Sequence, residues 1–82
     1  MSRSFVNRIQ NIPVKLIEKS SGRVVELEIS EPRDLLAELY MDQLKTYAEL
    51  IMAEYTVSGK RIKMTFKDGD MAESVRQMWK KL

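Results

Sequence analysis

The stretch Glu49-Leu50-Ile51-Met52-Ala53-Glu54-Tyr55-Thr56-Val57 decides the fold, because it satisfies two incompatible periods at once. Leu36, Tyr40, Leu44, Tyr47 and Ile51 run into it at spacings of four, four, three and four, the stripe of an amphipathic helix. Ile51, Ala53, Tyr55 and Val57 alternate within it, and Tyr55, Thr56 and Val57 are residues that favour strands. One reading carries a helix of about 25 residues through to Val57, whereas the other ends the helix near Lys45 and makes residues 49–57 a strand. The first leaves three strands in the chain and the second leaves four.

Upstream, Ile12, Val14 and Leu16, then Val25, Leu27 and Ile29, alternate with Lys15, Glu26 and Glu28, as in half-buried strands. Lys19, Ser20, Ser21 and Gly22 lie between these runs, so the two strands form a hairpin. Pro13 has no amide to donate and belongs at a strand start or a sheet edge. Ser30, Glu31 and Pro32 then predict a helix start near residue 31, with serine as cap and proline in the first turn. Asp34, Glu38, Asp42, Lys45 and Glu49 are expected on the face opposite the apolar stripe. Leu35, Leu39 and Leu50 widen the apolar arc beyond what one thin sheet needs, which asks for a second helix or a partner to cover them.

Downstream, Ser58 and Gly59 turn the chain under either reading. Ile62, Met64 and Phe66 alternate with Arg61, Lys63, Thr65 and Lys67, a strand with one wet, basic face. Asp68, Gly69 and Asp70 make the next turn, and Asp70 with Glu73 reads as a capping pair for a last helix. Met71, Val75, Met78, Trp79 and Leu82 form its buried face. The fold class is therefore α+β: a small antiparallel or mixed sheet of three to four strands with two helices packed on one face. Residues 1–11 read as a short basic arm carrying Arg3 and Arg8, and 12–82 as a single domain.

Eighty-two residues bound what such a domain can do. A chain of this length buries only about 60 to 65% of its unfolded surface, so its core is thin. No apolar run approaches the roughly 20 residues needed to span a bilayer, and the start has no secretory h-region. Without cysteine there is no disulfide framework, which sets the expectation of a soluble, cytoplasmic protein. Net charge is +2, but residues 1–30 hold five basic and three acidic side chains, 31–57 two and six, and 58–82 seven and three. The middle is acidic and the end basic.

The absence of histidine and cysteine removes the usual general base, the usual zinc ligands and the thiol nucleophile, which argues against an enzyme. No cofactor and no metal site is expected. Asp68-Gly69-Asp70 has the opening of a calcium loop, but Trp79 and Lys80 occupy the region where a closing glutamate belongs. The acidic stripe of Asp34, Glu38, Asp42 and Glu49 leaves divalent-cation binding as one alternative. RNA binding is another: Arg61, Lys63 and Lys67, with Lys80 and Lys81, and with Lys60 and Arg76 nearby, would supply the cations. No aromatic residue interleaves those cations as a stacking platform would require, and Glu26 and Glu28 can neutralise them across the strands.

With residues 49–57 as a strand, the order from Arg23 is strand, helix, hairpin, helix. Leu27-Glu28-Ile29-Ser30 leads into a helix with Tyr40, Val57-Ser58-Gly59-Lys60 turns into Ile62 and Met64, and Lys67 to Asp70 precedes a helix carrying Arg76. Together these resemble the CTAG/Pcc family, the small dimerisation subunit of the KEOPS tRNA-modifying complex. The likeness runs from Val24 to Leu82, and the strand within Ile12–Lys19 is an addition to it. It implies no activity of its own; such subunits pair through their sheets and hold the catalytic subunit through their helices. The resulting expectation is a non-catalytic binding or assembly subunit, a homodimer or part of a heteromer, with Leu35, Leu39, Tyr40, Tyr47 and Leu50 as its interface.

Overall fold

The computed structural model describes residues 8–17 and 22–80. After a helical turn at residues 8–10, the elements are β1 (Val14–Leu16), β2 (Val24–Ile29), α1 (Asp34–Leu50), β3 (Glu54–Ser58), β4 (Arg61–Thr65) and α2 (Gly69–Lys80). The strands form one sheet in the order β1-β2-β4-β3, antiparallel throughout. The fold is α+β, with α1 lying over β3 and β4 and α2 over β1 and β2.

The contested stretch divides between both periods. α1 runs to Leu50, five residues past Lys45, and the strand begins only at Glu54. Between them the amide of Met52 donates to the carbonyl of Glu49 (3.1 Å) and that of Ala53 to Ala48 (2.9 Å). These two bonds with Met52 at φ 59° are a Schellman motif, in which one left-handed residue reverses the chain and satisfies the last helical carbonyls. Ala48 and Ala53 are both buried, which supplies the apolar contact that accompanies the motif.

The start of α1 differs from expectation. The helix begins at Asp34, with Arg33 in the cap position and no side-chain cap bond. Ser30 does not cap it, because its amide still belongs to the sheet and donates to the Pro13 carbonyl (2.8 Å). Glu31, preceding proline, is disfavoured from helical backbone, and four residues, Ser30 to Arg33, separate β2 from α1. At α2 the cap is Asp68, whose Oδ1 accepts the Asp70 amide at 2.8 Å, rather than the pair Asp70 and Glu73. Glu73 turns to Arg76 and Gln77 instead.

Register follows the alternation. Leu27 lies opposite Leu16 on one side and Ile62 on the other, and Val25 opposite Met64, so β1, β2 and β4 send one apolar row each toward the helices. Ser58 and Arg61 close a two-residue turn in which Gly59 takes φ 60° while Lys60 does not, the pattern of a type II′ hairpin. The core is built from Val25, Leu27, Ile29, Ile62, Met64 and Phe66 against Ala37, Met41, Leu44, Ala48, Ala72, Val75 and Trp79. Alanines at 37, 48 and 72 let helix backbones approach the sheet, which moves the buried centre of α1 away from Leu36, Tyr40 and Ile51. Those three are half-buried. Ile9 and Ile12 also sit in the core, so the domain's packing reaches into the stretch read as a basic arm.

Candidate functional site

Leucines on α1 form the most exposed apolar feature of the described residues. Leu35 is 80% exposed, Leu39 58% and Leu50 51%, and beyond the helix end Met52 is 77% exposed. The second helix does not cover them, because it lies over β1 and β2 on the far side of α1. Met71, at the start of α2, joins the lower end of the stripe around a small cleft of about 200 Å³ lined by Ile51, Met52, Phe66, Lys67, Asp68 and Met71. Met71 was expected in the buried face of α2 and is instead exposed; Ala72 takes the inward position.

Tyr40 and Tyr47 part company with the leucines. Tyr47 is 7% exposed and meets Trp79 edge to face, centroids 5.8 Å apart, as the aromatic bridge between the helices. Burial pushes its hydroxyl pKa up. It is therefore a core residue and presents no surface to a partner. Tyr40 is half-buried against the same core. Spacing along the helix gave all five one arc; only the position of the second helix separates the covered from the uncovered part.

The acidic residues of α1 border the leucine stripe on the side toward β3. Asp34 reaches Lys60 Nζ at 3.6 Å and Asp42 reaches Lys45 Nζ at 3.6 Å. Glu49 accepts the Tyr55 hydroxyl at 2.8 Å, which raises the tyrosine pKa. Below this flank an open groove of about 470 Å³, floored by Ala37, Met41 and Val57, runs to the β3–β4 turn. Among the described residues no group of three or more carboxylates is gathered in a way that could hold a metal ion.

The basic face comes apart on inspection. Arg61 and Lys63 do lie on the outer face of β4, but Arg61 meets Glu28 at 3.7 Å and Glu26 at 3.8 Å, and Lys63 stands opposite Glu26 in the ladder. With Lys15 beside Glu28 and Glu54 on the edge strand, the outer sheet face is a checkerboard of three cations and three carboxylates. Lys67 lies past the end of β4, at the methionine cleft, and so does not share that face. Lys80 is exposed in the last turn of α2, and Lys81 lies outside the described residues, as does Leu82. Arg76 points inward: its Nη1 donates to the carbonyls of Gly22 (3.2 Å) and Val24 (3.0 Å), and Nη2 to Glu73 (2.7 Å).

Two contacts escaped sequence reasoning. Glu31 is buried, takes the Arg33 guanidinium on both oxygens, and has its carboxyl pKa lowered to about 2 chiefly by that hydrogen bond and then by the Arg33 amide. Lys60 Nζ donates to the Glu31 carbonyl (2.8 Å), tying the β3–β4 turn to the entrance of α1. No periodic signal marks either contact: the first joins residues two apart in a loop, and the second depends on the β3–β4 turn meeting that loop in space. β3 is an edge strand, with β4 on one side only.

No family model, curated protein or solved structure matches the chain.

Proposed function

We propose that this protein is a non-catalytic assembly subunit that presents the outer face of α1 to a protein partner. The observation that carries the reading is the row of Leu35, Leu39 and Leu50, exposed on a helix whose other apolar side chains are packed. A domain this small leaves few large apolar side chains in water without a use; Leu35 and Leu39 lie one turn apart, and Leu50 follows about three turns on in the same sector, past the exposed Thr46. The lack of histidine and cysteine, together with open rather than enclosed clefts, supports binding without chemistry. The same role is what the resemblance to the CTAG/Pcc dimerisation subunits implies, and the strand at Glu54–Ser58 is the arrangement on which that resemblance rests.

Pairing of two copies belongs to the same reading. Because the β3–β4 turn closes on Ser58 and Arg61, alternation directs the peptide groups of Tyr55 and Val57 to the free edge. A two-fold axis at Thr56 sets Tyr55 of one copy opposite Val57 of the other, hydrogen-bonded and on the core side, with Thr56 opposite Thr56 and Glu54 opposite Ser58. That pairing brings no like charges together.

Light scattering at high micromolar concentration, with capture of partners on immobilised protein, tests this. The expected result is an assembly larger than one chain that Val57→Pro weakens at the edge, and capture of a partner that Leu35→Ser with Leu39→Ser weakens at the helix, each with little change in unfolding midpoint. A strictly monomeric chain that retains nothing beyond what the double serine variant retains sinks the proposal.

A further inference from the structure

Around the axis of α1 each residue turns by about 100°, which puts Leu35, Leu39 and Leu50 in one sector, with Thr46 the polar residue among them, and Glu38, Asp42 and Glu49 along one border of it. The other border is Leu36 and Gln43, both half-buried and without charge. The helix carries four carboxylates and a single lysine. Lys45 and Lys60 engage Asp42 and Asp34, while Glu38 has no ion-pair partner among the described residues. An apolar stripe with one acidic bank is a directional surface.

We infer that this surface takes an amphipathic helix of a partner protein whose leucine-like face is flanked by lysine or arginine. The inference rests on the assembly reading and adds the chemistry of the partner. Charge complementarity selects this occupant. A second copy docked antiparallel on the stripe sets the acidic bank against itself, and a parallel copy sets it against Leu36 and Gln43, so neither supplies a cation. Phosphate-bearing partners and anionic lipid surfaces meet the same repulsion. A basic flank instead pairs with Glu38 and Asp42 at the rim while the apolar faces exclude water, the groove-binding mode of amphipathic helices.

Two synthetic helical peptides with one shared leucine face, flanked by lysines in one and by glutamates in the other, test it by fluorescence anisotropy against the whole chain. The lysine peptide is expected to bind about tenfold more tightly at low salt, the sum of a few rim ion pairs. The gap should close at high salt, or when Glu38→Gln, Asp42→Asn and Glu49→Gln are combined, while Leu35→Ser with Leu39→Ser removes binding of both peptides. Equal affinity of the two peptides, both lost in the serine variant, overturns the basic partner and leaves the docking face standing. Binding of neither peptide at millimolar concentration overturns both. Self-association relieved by the serine substitutions, without preference between peptides, hands the face to a second copy and overturns the inference.

Discussion

Arg76 and Lys60 show how single side chains fasten distant parts of the chain to the two ends of β2. Arg76 reaches from α2 to the carbonyls of Gly22 and Val24, where β2 has just begun, and Glu73 holds the guanidinium from the other side. At the far end of β2 the Lys60 side chain does the matching work on the Glu31 carbonyl, while the Glu31 carboxylate holds Arg33 two residues on. Its lowered pKa makes a prediction about acid. A carboxylate whose folded pKa is depressed from 4.5 to about 2 contributes stability that is present above 4.5 and is lost as pH falls toward 2. Glu31→Gln should therefore lower the urea midpoint at pH 7 and flatten its fall between pH 4.5 and 2, with the two proteins converging at the acid end. Identical pH profiles would show that the carboxylate contributes nothing. Glu73, lowered by Gln77 and then Arg76, keeps part of the acid slope in the variant.

The decisive element is the end of α1. Helical periodicity persists to Ile51 and strand alternation begins there, so neither pattern alone shows the break. The usual marker of a Schellman ending is glycine or asparagine, whereas here methionine takes the left-handed position at φ 59°. That substitution hides the boundary from sequence reasoning and carries a backbone penalty. Met52→Gly should raise stability by about 0.5–1 kcal/mol, the relief of the left-handed strain less the added freedom of the unfolded chain. A thermal midpoint that falls in the variant would mean that the exposed methionine packs more strongly than its position suggests. The start of α1 is hidden for a related reason: Ser30 has the side chain of a cap, but its amide is taken by the Pro13 carbonyl across the sheet.

At the scale of the whole molecule, the four strands, α1 and α2 of the described residues make two layers, and the open side of the sheet is balanced in charge. The apolar layer between them is thin enough that its margins count. Ile9 and Ile12, outside every strand, are buried in the core to 0% and 2% exposure. Ile9→Ala should cost about 2–4 kcal/mol in urea unfolding, the range for deleting a buried aliphatic side chain. A change below about 0.5 kcal/mol, as for an exposed residue, would place the first residues outside the cooperative unit.

The sequence by itself determined what depends on neighbours along the chain. Alternation in Val25, Leu27 and Ile29 and in Ile62 and Met64 set which faces of β2 and β4 are apolar, Gly59 set the hairpin turn, and the missing histidine and cysteine set the limits on chemistry. Tertiary structure decided the rest. Tyr47 and Leu39 occupy nearby sectors of one helix, yet Trp79 covers the first and nothing among the described residues covers the second. Arg76 and Arg61 are both basic residues of the C-terminal third, yet one is drawn inward by carbonyls and the other is met by Glu26 and Glu28. Local periodicity fixes a direction around a helix or strand axis, but whether that direction meets protein or water depends on where the other elements come to rest.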